Sequence, residues 1–305
     1  MYCKRFLRVL PVFAFTASLS YAAFLTAPEA HLIFAGHSIA LADVDGGWPS
    51  HEIVDPEKGP SAMHHKHIGG VKYEDIKVSV KMGQFDPIVL DTLNTALKGG
   101  YQLTSKFSIE IDGVRGAAPI DFFECWPHEI VSPGFDAVNE ECTGWDISFG
   151  TSGGTGYPGL YLMKAKEKAN RTKCANNLRL VVNDGGKPRT FEVSKTEPVH
   201  GGCVPCDLDG DGYNDMMDVQ VGPVVVYVPA SQSGFFDQWM KMSGENPLYE
   251  GNKKDATLRI LTGKLGEYDF SYSEMQPVAV TRMADGSVRV EFTTAKEQLE
   301  QKPRN

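Results

Sequence analysis

Short runs of alternating apolar and polar residues, fenced by Gly, Pro, Asn and Asp, recur along this chain and decide what it can fold into. IKVSV (76–80), FSIEI (107–111), IDFFECW (120–126), WDISF (145–149), LRLVV (178–182), VVVYV (224–228), TLRIL (257–261), YDFSYSEM (268–275) and VRVEF (288–292) are the clearest. A period of two sends successive side chains to opposite faces of a strand, so the pattern specifies antiparallel sheets with one face buried. Helical spacing is confined to two places. In DPIVLDTLNTALKGG, Asp86 and Pro87 suit an N-terminus, Ile88, Leu90, Leu93 and Leu97 share a face, and Gly99 stops the helix. GFFDQWMKMSG reads as a shorter helix that ends near Gly244.

The two helices expose an internal repeat. Each follows a strand and precedes three more, in the order strand, helix near Asp86, FSIEI, a strand ending at Pro127 and WDISF, then VVVYV, helix near Asp237, TLRIL, a strand ending at Pro277 and VRVEF. From helix aspartate to strand-end proline is 41 residues in one half and 40 in the other. Fixed spacing of like elements is the signature of duplication. The expected architecture is mainly β: two tandem antiparallel β-sandwich or barrel domains, each with one helix, over 43–150 and 151–295, with a polar tail at 296–305.

The N-terminus has another composition. Lys4, Arg5 and Arg8 precede an apolar run from Val9 to Leu25, the order of a secretory signal. Ala40-Leu41-Ala42 is the best small-x-small site, which makes 1–42 the expected signal, with Ala22 and Ala30 as other sites. An uncleaved anchor is the competing reading, since the run approaches the roughly 20 residues a membrane helix needs. Without residues 1–42 the chain keeps 27 basic and 38 acidic residues, a net charge of −11. That balance excludes a nucleic-acid partner, which requires clustered Lys and Arg, and fits a secreted, extracellular protein with no membrane contact once the signal is cleaved. Five cysteines remain: Cys125, Cys142, Cys174, Cys203 and Cys206. Disulfides are expected in an oxidising compartment, with Cys125–Cys142 the first pairing and Cys174 with Cys203 or Cys206 the second. A redox role for CVPC lacks the following helix that such a motif needs.

CVPCDLDGDGYNDMMD (203–218) carries the strongest motif. Asp207, Asp209, Asp211, Tyr213, Asp215 and Asp218 fall at positions 1, 3, 5, 7, 9 and 12 of a calcium loop, with Gly212 at the sharp turn. Calcium takes six to eight hard oxygens, and alternate aspartates converge as the backbone curls; Tyr213 offers its carbonyl. Position 12 is Asp rather than Glu, and VQVGPVVVYV after it is strand. The loop therefore joins non-helical elements, and calcium is expected as a structural cofactor.

HIGGVKYEDIKVSVKMG and, downstream, IDFFECWPHEIVSPGFDAVNEECTGWDISF together resemble the tail-tube family of contractile phages, to whose superfamily the type VI secretion tube protein belongs. Lys72, Tyr73, Ile76, Val78 and Gly83 occupy the family's first pattern, and Trp126, Pro127, Gly134, Phe135 and Ala137 the second. The resemblance covers about 70–149 directly and the second half through the repeat. It implies small β domains with one helix that assemble into rings and tubes, and no catalytic residues. Two such domains per chain imply a six-domain ring from three copies. The signal and the calcium loop depart from the family, and fit a subunit exported singly and polymerised outside the cell.

Other candidates read as structure. His64, His65 and His67 flank Lys66, which repels a metal, and the resemblance to tube proteins, whose corresponding loop reaches a neighbouring ring, implies an interface role instead. Glu140 and Glu141 are adjacent, and adjacent residues on a strand point apart. Trp126, Trp145, Phe122 and Phe123 fit core packing better than a sugar platform, and Asn170 begins an N-x-T glycan acceptor. With no G-x-S-x-G, no H-E-x-x-H and no Cys–His pair, the expected function is non-enzymatic: a secreted, calcium-stabilised subunit that self-assembles into a tube or filament. The alternative is a calcium-dependent extracellular binder, for instance of polysaccharide.

Overall fold

Each alternating run becomes a strand with its apolar positions turned inward. The computed structural model describes residues 29–34, 37–47, 49–54, 67–83, 87–97, 104–112, 120–151, 153–155, 172–174, 177–206, 216–247, 249–262 and 266–302. The first half runs β1 (Glu29–Phe34), β2 (His37–Leu41), β3 (Asp43–Gly46), β4 (Pro49–Val54), β5 (His67–Tyr73) and β6 (Ile76–Val80) to helix α1 (Pro87–Leu97). It continues as β7 (Thr104–Asp112), β8 (Ile120–Val131), β9 (Phe135–Asp136), β10 (Glu141–Cys142), β11 (Trp145–Gly150) and β12 (Gly153–Thr155). The second half runs β13 (Thr172–Lys173), β14 (Asn177–Asp184), β15 (Lys187–Val193), β16 (Lys195–Thr196), β17 (His200–Cys206), β18 (Met216–Val221) and β19 (Val224–Pro229) to helix α2 (Ser233–Glu245). It ends with β20 (Lys254–Thr262), β21 (Gly266–Arg282), β22 (Ser287–Thr293) and β23 (Lys296–Lys302). α2 begins at Ser233, four residues before the aspartate expected near its start.

The same strand order occurs twice. One sheet reads β2-β1-β7-β8-β11-β6-β3, and the other contains β15-β14-β20-β21-β22-β19-β16. Registers match in detail. Pro127 of β8 lies opposite Phe149, and after a one-residue bulge Glu129 lies opposite Ser148. Pro277 of β21 lies opposite Phe292, and after the same bulge Ala279 lies opposite Glu291. Hairpins β4–β5 and β17–β18 occupy the same place in the order, between the third strand and the strand before the helix.

The halves do not part at 150. β9 and β10 join the second sheet, where Asp136 pairs with Lys195. β17 joins the first, where it pairs with β8. One apolar cluster includes residues of both halves. At its middle Phe270 from β21 meets Phe135 edge-on at 5.8 Å and stacks on Trp145 at 6.0 Å. Trp239 of α2 is fully buried, and its indole N–H donates to the Asn252 carbonyl at 2.7 Å, so its one polar atom is satisfied.

Two expected boundaries shift. β1 pairs with β7 over six residues and β2 pairs back onto β1, with Ala30, Leu32 and Ile39 buried. The segment assigned to the signal thus contains the first two strands of the first repeat, the counterparts of β14 and β15. Cleavage after Ala42 would remove them, whereas a site near Ala22 leaves them intact. The polar tail is likewise a strand: β23 pairs with β21 from Lys296–Ser273 to Lys302–Glu267, and backbone pairing does not require apolar side chains.

Burial of Leu32 and Ile39 is worth roughly 1.5–3 kcal/mol each, and loss of β1 also strips a ladder from β7. A chain beginning at Asp43 is therefore expected to unfold at much lower urea than one beginning at Ala23. Equal midpoints by circular dichroism would show that the first two strands add nothing.

Candidate assembly surfaces and the calcium-loop hairpin

The calcium-loop motif begins in the connection after β17 and ends on β18 of the β17–β18 hairpin. Gly201 pairs with Val221 at its base and Cys206 with Met216 at its far end. Asp207, Asp209, Asp211, Tyr213 and Asp215 fall in 207–215, outside the described residues. Asp218 is placed on β18, opposite Val204. No cluster of three metal-ligating side chains occurs among the described residues. His64, His65 and Asn170 also lie outside them, and His67 opens β5.

At its base the hairpin joins the two repeats. His200, Gly201 and Gly202 lie opposite Val131, Ile130 and Glu129 of β8. The ladder continues as Ser132 N–H donates to the Val199 carbonyl at 2.8 Å, while Val199 N–H donates to Ser132 Oγ at 3.2 Å. A Cβ on Gly201 would stand 2.9 Å from Leu97 Cδ2 of α1, so any larger residue there would require the Leu97 side chain to shift. His200 Nδ1 and Glu129 Oε1 are 3.2 Å apart, but both side chains are exposed and such a pair contributes little.

The residues that carried the family resemblance are spread from β5 to the residue after β9. Ile76 and Val78 are buried on β6, and Pro127 marks the bulge of β8. Gly134 and Phe135 then lead the chain into the second sheet. Gly134 N–H donates to Thr143 Oγ1 at 2.8 Å and Phe135 N–H to Thr196 Oγ1 at 3.1 Å, and a Cβ on Gly134 would crowd Pro198 at 2.9 Å. Phe122 and Trp145 are core residues, as expected. An open groove of about 320 Å³ beside this crossing is lined by Phe135, Asp136, Glu141, Lys195 and Glu197, among others.

The disulfide is Cys142–Cys174, joining β10 to the residue after β13. Neither expected pairing forms. Cys125 is buried on β8 with its Sγ 3.6 Å from Thr151 Oγ1, and Cys174 is drawn to Cys142 because β13 pairs with β10. The spacing alone carries no trace of that contact. The bond closes 32 residues, so replacing both cysteines by serine is expected to cost roughly 3–4 kcal/mol, read as a lowered denaturant midpoint under oxidising conditions.

Sequence reasoning also missed Glu297. This β23 residue is 3% exposed, hydrogen-bonds Tyr272 and Ser132, and has an Oε1 with no partner among the described residues. Burial pushes its carboxyl up to about 7, only partly offset by those two hydroxyls. In the unfolded chain it titrates near the ordinary 4.5. Between these values only the folded state holds the proton, so stability falls as pH rises from about 4.5 to about 7 and stays lower above. Glu297→Gln is expected to raise the urea midpoint at pH 8 and leave it nearly unchanged at pH 5. An equal shift at both values would show that the carboxyl does not titrate in this window.

No protein-family model matches the chain, and no curated protein does. Among solved structures it is similar to the sheath/tube terminator of an extracellular contractile injection system (PVC) in its extended state, at 14% identity and TM-score 0.34 over 50% of this chain and 98% of that one. It is also similar to a chain of the anti-feeding prophage baseplate, at 9% identity and TM-score 0.30 over 41% and 91%. A third is a mutant Hcp1 protein from the E. coli EAEC 042 pathovar, at 12% identity and TM-score 0.27 over 41% and 98%.

Proposed function

We propose that this chain is an exported structural subunit whose two tail-tube-like repeats associate with further copies into a tube or filament, braced by calcium. The observation that carries this reading is the ladder between β17 and β8. One repeat lengthens the sheet of the other through its hairpin base, an association built from backbone pairing that needs no ligand. The element order around α1, with Ile76 and Val78 buried on β6, Pro127 at the bulge of β8 and Gly134 at the entry to the second sheet, accords with the resemblance to contractile-phage tail tubes.

Residues 1–22 act as the signal, the first repeat begins at Glu29, and the second, which extends through β23 to Lys302, carries the loop. Calcium is held by Asp207, Asp209, Asp211, Asp215 and Asp218 with the Tyr213 carbonyl. Register supports this assignment: Cys206 opposite Met216 leaves 207–215 to form the connection, enough chain to curl around one ion, and its donors are the hard oxygens calcium prefers. No helix among the described residues is long and apolar enough to cross a membrane.

Negative-stain electron microscopy of the chain from Ala23 onward, in millimolar calcium and then in chelator, tests the reading. Rings or filaments that vanish with chelator are the expected result. Persistence in chelator would confine calcium to bracing its own hairpin. Small uniform particles in both would overturn self-assembly and favour a discrete binding protein.

A further inference from the structure

The chain holds one finished joint and one unfinished copy of it. In the finished joint β17 closes the edge of β8 that opens where the ladder with β7 ends, at Cys125. α1 flanks it through Leu97, and Ile130 beneath it is 2% exposed.

β21 offers the same edge. Its ladder with β20 ends at Met275, and after the bulge Ala279, Val280 and Thr281 stand where Glu129, Ile130 and Val131 stand in β8. Beyond Met275, no described strand pairs with β21 on the β20 side. Val280 is therefore only half-buried where Ile130 is sealed, and Val278 and Met283 are exposed. α2 flanks this edge as α1 flanks the other: Asp237 reaches Arg282 at 3.3 Å. Exposed Met240 and Met242 lie on the same helix.

A matching hairpin exists as well. Among the described strands, β4 and β5 pair only with each other, as a two-stranded sheet. Ile76 and Val224 lie opposite Phe149 and Phe292, the phenylalanines that also face the two bulge prolines. That frame makes Tyr73 the counterpart of Val221, and their hairpin partners are Pro49 and Gly201.

We propose that residues 279–282 of β21, beside α2, dock the β4–β5 hairpin of a second copy, with Pro49 opposite Val280 and Ser50 opposite Ala279. Pro49 lacks the N–H of Gly201, so this ladder carries one bond fewer than the internal one. Docking and receiving surfaces differ, so each joint leaves both a free hairpin and a free edge at the ends of the assembly, and addition continues into rings or filaments. The inference rests on the proposed self-assembly and names its surface.

Two singly substituted full chains, Ser50→Cys and Ala279→Cys, test it under mild oxidation. A covalent dimer is expected from the mixture and from neither variant alone, and a ladder of multimers from the double variant. Polymers by microscopy without the mixed dimer would overturn this surface and leave self-assembly standing. A monomer by sedimentation, again without a dimer, would overturn both. Val280→Lys places a charge on the edge and is expected to raise the concentration needed for assembly at least about tenfold with its circular dichroism spectrum unchanged; unaltered assembly would count against the joint.

Discussion

A strand can carry only one neighbour on each edge at any point along its length, and β8 uses twelve residues to carry four. Along one edge it pairs with β7 and then, after Cys125, with β17; along the other it pairs with β12 and then β11. The bulge after Pro127 lies where these pairings change over, and a bulge increases local twist and bends the strand. The hairpin joint and the passage of the chain into the second sheet both follow from this. Had β8 stopped at Cys125, the hairpin carrying the calcium-loop motif would have no edge to extend, and the turn at Ser132 would not lead Phe135 into the second sheet.

Ser132 is where the pieces meet. Its backbone and hydroxyl bind Val199 from the second repeat, and its hydroxyl also contacts Glu297 from the last strand. Around it Phe135 and Trp145 of the first half close on Phe270 of the second. Polar groups this deep cost free energy unless paired, so the cluster tolerates few alternative arrangements of the two repeats. Glu297 gives it a weak point, since a carboxyl raised by burial sets the ionised state against the packing around it.

Much of the architecture was legible because period two is a local signal. VVVYV, TLRIL and VRVEF became β19, β20 and β22, and the repeat read from helix and proline spacing reappears as one strand order used twice. What stayed hidden depends on contacts distant in sequence or on competing local signals. HLIF and HSIAL alternate, but they follow an apolar run that has the order of a signal, and that competing pattern hides them. KEQLEQK has few apolar residues, so its place as β23 comes from the backbone ladder with β21. Cys174 meets Cys142 only because a two-residue strand pairs with another. The calcium motif was the plainest feature of the sequence, yet only Asp218 of its ligands is placed, on a strand opposite Val204.

That placement separates two roles for the ion. The joint with β8 involves His200, Gly201 and Gly202, while the motif begins after Cys206 and ends at Asp218, opposite Val204, two residues or about 7 Å beyond Gly202 at roughly 3.3 Å per residue. On the proposed reading, calcium would act on the joint by stiffening the hairpin beside it. β4–β5, which lacks this motif, is the counterpart that would dock between copies. The hairpin that carries the motif thus joins repeats within a chain, and the one without it is the one proposed to join chains. Calcium would then set how rigidly a subunit is built, and assembly would respond to the ion through the shape of the subunit rather than through a bridging contact.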